Sequence, residues 1–140
     1  MLRSVFGVLV GTVLWMLGFY ALAMVLANLW PDYATHGRQW ARAGTFTFTP
    51  LMAVCNLAFW ALAEFGAGWI AATISRRRGA VWILAALLGI YLAVIHLFLY
   101  WPRFPWWYNL GVVIPSVPAI LLGALLANNS SAERAQSSHA

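Results

Sequence analysis

TPLMAVCNLAFWALAEFGAGWIAATISRRRG, residues 49–79, decides the fold. Thr49-Pro50 reads as a helix N-cap followed by proline at the first helical position, where its missing N–H costs nothing. An unbroken apolar run follows, and three arginines and a glycine close it. A helix needs about 20 apolar residues to cross roughly 30 Å of hydrocarbon, and this run is long enough. Arg76-Arg77-Arg78-Gly79 is then a tight polar turn into a second apolar run.

Working outward, three more runs qualify, giving spans at about 4–29, 49–75, 80–101 and 107–127. The fold class is all-α, an integral membrane four-helix bundle occupying residues 1–127, with residues 128–140 a polar, disordered tail. Composition agrees. Hydrophobic residues make up 64% and charged residues 8% of the chain, whereas a soluble domain is about one quarter charged. Ala21-Leu22-Ala23 imitates a signal-peptide cleavage site, but the apolar run around it is too long for one, so the first run is a retained span. The net charge of +5 lies beside apolar runs and reads as a topology signal, not as a nucleic-acid surface.

The arginine turn carries the densest positive charge and is expected in the cytoplasm. With it go Arg3 and Arg134, leaving Arg38, Arg42 and Arg103 outside. Both termini are therefore expected in the cytoplasm. Trp30, Tyr33, Trp40, Trp101, Trp106, Trp107 and Tyr108 gather at the outer boundary as an aromatic belt. The segment Trp30 to Phe48 reads as an interfacial connector lying on headgroups or docking a partner.

Sliding the chain by 71 residues pairs Leu17-Gly18-Phe19-Tyr20 with Leu88-Gly89-Ile90-Tyr91, and Trp30-Pro31 with Trp101-Pro102. Gly66-Ala67 resembles Gly123-Ala124 more weakly. The expectation is two tandem hairpins related by a pseudo-two-fold axis along the membrane normal. Small residues at helical spacing, Gly7, Gly11 and Gly18 on span one and Ala61, Gly68, Ala71 and Ser75 on span two, predict close helix packing.

Glu64 is the strongest candidate for chemistry, because a carboxylate at the bilayer centre costs about 2.5–3.5 kcal/mol. It lies about 18 Å along the helix from Arg76 and about 22 Å from Thr49. Its expected counterpart in the second hairpin is Leu121. Desolvation favours the neutral acid, which could donate a hydrogen bond to Tyr20, Tyr91 or Ser116, or reach His96 through water. These five residues, Glu64, Tyr20, Tyr91, His96 and Ser116, form the expected polar pocket. Pro115 and Pro118 flank Ser116 and free backbone carbonyls near the same depth.

No catalytic, cofactor or metal motif is present, so enzyme activity is not expected. Cys55 is alone, which removes disulfide and Cys-X-X-Cys chemistry. A haem held by His96 would need a second axial ligand, and His36 and His139 lie in the loop and the tail. Asp32, Glu64 and Glu133 stand at different depths and cannot form a carboxylate pair.

The stretch Gly68-Trp69-Ile70-Ala71-Ala72-Thr73-Ile74-Ser75 before the arginine turn, with a proline-containing fourth span ending Leu122-Gly123-Ala124-Leu125-Leu126-Ala127, resembles small four-span bacterial membrane proteins of unknown function. The resemblance implies the four-helix architecture and a bacterial inner membrane, and carries no site residues. The chain differs from small drug-resistance transporters, whose membrane Glu lies in the first span. The expected function is a non-catalytic accessory, scaffold or lipid-interacting bundle; the alternative is a small proton-coupled transporter or channel component using Glu64. Expected partners are membrane lipids, other membrane subunits or a second copy of the chain, and not nucleic acid.

Overall fold

The computed structural model describes residues 1–137, with side chains through Asn129. It is all-helical, without strands among the described residues: α1 (Leu2–Leu29), α2 (Pro31–Ala43), α3 (Pro50–Ser75), α4 (Arg78–Val94, prolonged by a π-helical turn Ile95–Leu99) and α5 (Trp106–Ser137). Four of these helices, all but α2, are long and apolar enough to cross a membrane. Their exposed side chains are largely Leu, Val, Ile, Met, Phe and Trp, the surface a lipid solvent favours and water does not. The chain is a multi-pass membrane protein.

The ends of α3 follow from local chemistry. Thr49 Oγ1 accepts from the Met52 N–H at 3.4 Å and Pro50 takes the first turn. Arg76, at φ 52°, ends the helix in the left-handed conformation, and its N–H reaches the Ala72 carbonyl. A glycine would be the usual residue there. Helix α4 begins immediately afterwards at Arg78.

The segment Trp30–Phe48, expected as an interfacial connector between spans one and two, contains a helix. Pro31 stands at its first turn, Asp32 complements the helix dipole, and Gly44, at φ 63°, terminates it. These are helix start and stop signals in a segment too polar to span. The last helix also runs on to Ser137, past Ala127 where a disordered tail was expected to begin, since no Gly or Pro interrupts residues 124–137 and Ala132-Glu133-Arg134-Ala135-Gln136 favour helix. Residues 138–140 of that tail lie outside the described residues.

Helix α3 is the hub, packed on α1 along one face and on α5 along another. Toward α1 it presents Ala63, Ala67, Ala71 and Ser75 at four-residue spacing. A Cβ on Gly18 would touch Ala63, one on Gly11 would meet the Ala67 carbonyl and Ala71, and one on Gly7 would meet Ala71 and Ser75. The antiparallel pair is held by small residues, which let backbones approach where lipid provides no hydrophobic drive. Toward α5 the approach is closer still. A Cβ on Gly68 would collide with the Ile120 carbonyl, and one on Gly123 would collide with the Phe65 carbonyl.

Candidate functional site

Polar side chains collect on the α5-facing side of α3. Asn56, Trp60, Glu64 and Gly68 recur at four-residue spacing, so they stack along one helix face. Asn56 and Glu64 are buried and stand about 12 Å apart along the axis. Opposite them α5 buries Tyr108, Asn109, Val112, Ser116 and Ile120.

At the α2 end Asn56 joins three elements. Its Nδ2 donates to the Tyr33 hydroxyl of α2 at 2.6 Å, and its Oδ1 accepts from the Tyr108 hydroxyl of α5 at 2.7 Å. Either orientation of the amide leaves one phenol donating and the other accepting. The indole of Trp60 adjoins the Tyr108 hydroxyl. Burial raises the Tyr33 phenol above its ordinary value of 10.0, opposed by the Asn56 hydrogen bond, with a small further rise from Cys55. Phe48 stacks on Tyr33 at 5.2 Å between centroids, and Phe46 lies against Tyr108 at 4.9 Å. This aromatic packing seats α2 on the bundle.

His96 is placed by the π-helical turn, which the Tyr100 N–H closes on the Ile95 carbonyl at 3.0 Å. The turn buries His96 and leaves Phe98 and Leu99 exposed; such turns insert an extra residue and re-aim side chains. His96 Nδ1 pairs with Asn109 Oδ1 at 3.0 Å, and Asn109 Nδ2 donates to the Phe104 carbonyl at 3.3 Å. Tyr100 and Trp60 present ring edges to the imidazole at 5.4 and 6.3 Å.

Glu64 differs from both clusters. It is 0% exposed, yet neither carboxyl oxygen has a hydrogen-bond partner. Ser116 stands beside it, but the Ser116 hydroxyl donates to the Val112 carbonyl of its own helix at 2.7 Å. Pro115 and Pro118 remove the donors that the Gly111 and Ile114 carbonyls would normally receive. Trp15 Nε1 is also buried without a partner. Because Gly18 packs on Ala63 and Gly11 on Ala67, Trp15 lies level with Glu64, a donor and two acceptors at one depth and unjoined.

The five residues expected in one pocket fall into two groups: Glu64 adjoins Ser116, and Tyr20, Tyr91 and His96 line a separate groove. Tyr20 and Tyr91 are 61% and 50% exposed and reach neither the carboxyl nor each other by hydrogen bond. They share with His96 and Trp60 the wall of a small groove between α1 and α4, about 150 Å³. Asn56 and Asn109 carry the interhelical bonds and were not anticipated. The available signal was an amide inside an apolar span, which rarely persists unpaired. No group of three His, Cys, Asp or Glu residues able to hold a metal occurs among the described residues.

Three larger cavities lie at the ends of the bundle. One of about 420 Å³ opens between α1, α2 and α5 over Tyr33, Asn56 and Tyr108. Two more, about 460 and 360 Å³, flank the arginine turn. None of these has Glu64 in its wall. No protein family, curated protein or solved structure shows detectable similarity to the chain.

Proposed function

We propose that the chain is a non-catalytic, lipid-interacting membrane bundle that serves as an accessory or scaffold subunit. One observation carries this reading: the buried amides and the imidazole are turned on partners across the bundle, Asn56 on Tyr33 and Tyr108, and His96 on Asn109. Groups so engaged fix helix register and leave no convergent set of free donors and acceptors for a reacting substrate. The larger cavities open at the bundle ends, where headgroups lie.

The same proposal places the protein in a bacterial inner membrane with both termini in the cytoplasm, supported by the excess of arginine at the Arg76–Arg78 end. It also treats the chain as two tandem hairpins, α1–α3 and α4–α5. The recurrence at 71 residues of Leu17-Gly18-Phe19-Tyr20 as Leu88-Gly89-Ile90-Tyr91, and of Trp30-Pro31 as Trp101-Pro102, supports this.

A second reading, proton coupling through Glu64, is favoured by the two unpartnered carboxyl oxygens. Proteoliposomes separate the two. With the accessory reading, wild type, Glu64→Gln and Glu64→Leu all assemble and none dissipates an imposed pH gradient. Dissipation by wild type that disappears in Glu64→Gln at equal incorporation would overturn it.

A further inference from the structure

We infer that the turn joining α3 to α4 forms a binding site for an anionic phospholipid, its phosphate held by Arg76, Arg77 and Arg78 and an acyl chain lying along the α4–α5 seam. Four observations converge on this. The cavity there, about 460 Å³, has the three arginines on one side and Trp82, Leu121 and Leu125 on the other, a charged head and an apolar chute in one space. Trp82 and Leu125 are exposed, so the chute opens sideways onto the surface that faces lipid.

Among the described residues the charge is uncompensated. None of the three arginines has a hydrogen-bonded or ionic carboxylate partner among the described residues, and α4 has no acidic residue in its first turn and no side-chain cap. The positive end of the α4 dipole adds to the charge of the same turn. Arg76 and Arg77 also line the neighbouring 360 Å³ cavity beside Arg3, which extends the positive field around the turn. Basic pockets between spanning helices recognise acidic headgroups in this way.

Arg76 adds an argument from conformation. It occupies a left-handed C-cap at which glycine is the less strained residue. The Arg76 side chain forms part of the cavity wall, which a glycine at the cap would not supply. The occupant is a lipid and not free phosphate, because Ala72, Val81, Trp82, Leu121, Ala124 and Leu125 make most of the wall apolar and continuous with the membrane-facing surface.

This inference rests on the lipid-interacting reading above; the Glu64 variants test that reading without touching the turn, so the two can fail separately. The experiment is native mass spectrometry of the full chain from mixed micelles containing phosphatidylglycerol or phosphatidylcholine. Phosphatidylglycerol should be retained preferentially, and retention should fall roughly fivefold for each charge removed, so about 25-fold in Arg77→Gln/Arg78→Gln. Arg38→Gln/Arg42→Gln, at the other end, should leave it unchanged. Arg76→Gly should raise the unfolding midpoint while lowering retention, an opposition that a purely structural arginine would not produce. For the unmodified protein, salt near 1 M, where the Debye length is about 3 Å, should weaken retention, which keeps the test valid if a variant misfolds. Equal retention of the two lipids, equal loss in the Arg38/Arg42 variant, or displacement of the lipid by equimolar inorganic phosphate would overturn the proposal.

Discussion

Gly68 and Gly123 face each other's helices so closely that neither has room for a Cβ: each would run into backbone, the Ile120 carbonyl in one case and the Phe65 carbonyl in the other. Backbone cannot swing aside as a long side chain can. Gly68→Ala and Gly123→Ala should each separate α3 from α5 and destabilise the bundle by about 2–3 kcal/mol, at the upper end of overpacking costs. Gly66→Ala meets open space and should stabilise by about 0.5–1 kcal/mol through helix propensity. Denaturation midpoints in mild detergent check the contrast.

Asn56→Leu should cost about 1–2 kcal/mol, because it leaves the Tyr33 and Tyr108 hydroxyls without the partner that joins α2, α3 and α5. Detachment of α2 should accompany the loss, read as faster proteolysis within residues 44–49. Tyr33→Phe removes one of the two bonds and should cost less, about 0.5–1 kcal/mol.

Glu64→Leu should be neutral or stabilising, since both carboxyl oxygens are buried without partners and the substitution removes groups whose desolvation nothing offsets. Glu64→Gln keeps the buried polar burden and should unfold at or below the midpoint of the Leu variant. A midpoint for Glu64→Leu well below wild type would show that the carboxyl makes a stabilising bond.

Tyr33 supplies a pH signature. Its phenol is raised by burial above the ordinary value of 10.0, so the folded state holds the proton longer than the unfolded state. The stabilisation this gives is fully present below pH 10 and declines as pH rises from there through the folded value. Tyrosinate absorbance should show the Tyr33 phenol ionising above pH 10, with seating of α2 lost in that phase. Tyr33→Phe should abolish that phase.

The spans were legible because length and punctuation define them: Thr49-Pro50 starts α3, and the arginine turn ends it. The small faces were legible too, since Gly7, Gly11 and Gly18 repeat at helical spacing. What counting residues gives is depth along an axis. It does not give rotation about that axis, because helices apolar on all sides have little amphipathicity to orient them. Tyr20 and Tyr91 share a depth with the expected pocket but line a half-open groove away from Glu64, while His96 turns inward through a π-helical turn that no spacing rule announces. Asn56 and Asn109 could have been found by treating an amide in a span as seriously as a carboxylate. Helix α2 could have been found from Pro31, Asp32 and Gly44.

The division of α3 into two faces also sets an order of assembly. The ribosome delivers α1 before α3 and α3 before α5, so the Ala63–Ala67–Ala71–Ser75 edge finds its glycine partner as soon as the first hairpin is complete. Of the Asn56–Trp60–Glu64 edge, Trp60 already stacks on Phe19 of α1 and Asn56 bonds Tyr33 of α2, while Glu64 and Gly68 await Ser116 and Ile120 of the last helix. A nascent chain halted after α4 holds its acid toward lipid or the translocon wall, and release of that chain into a stable fold waits on Ser116, Ile120 and Gly123.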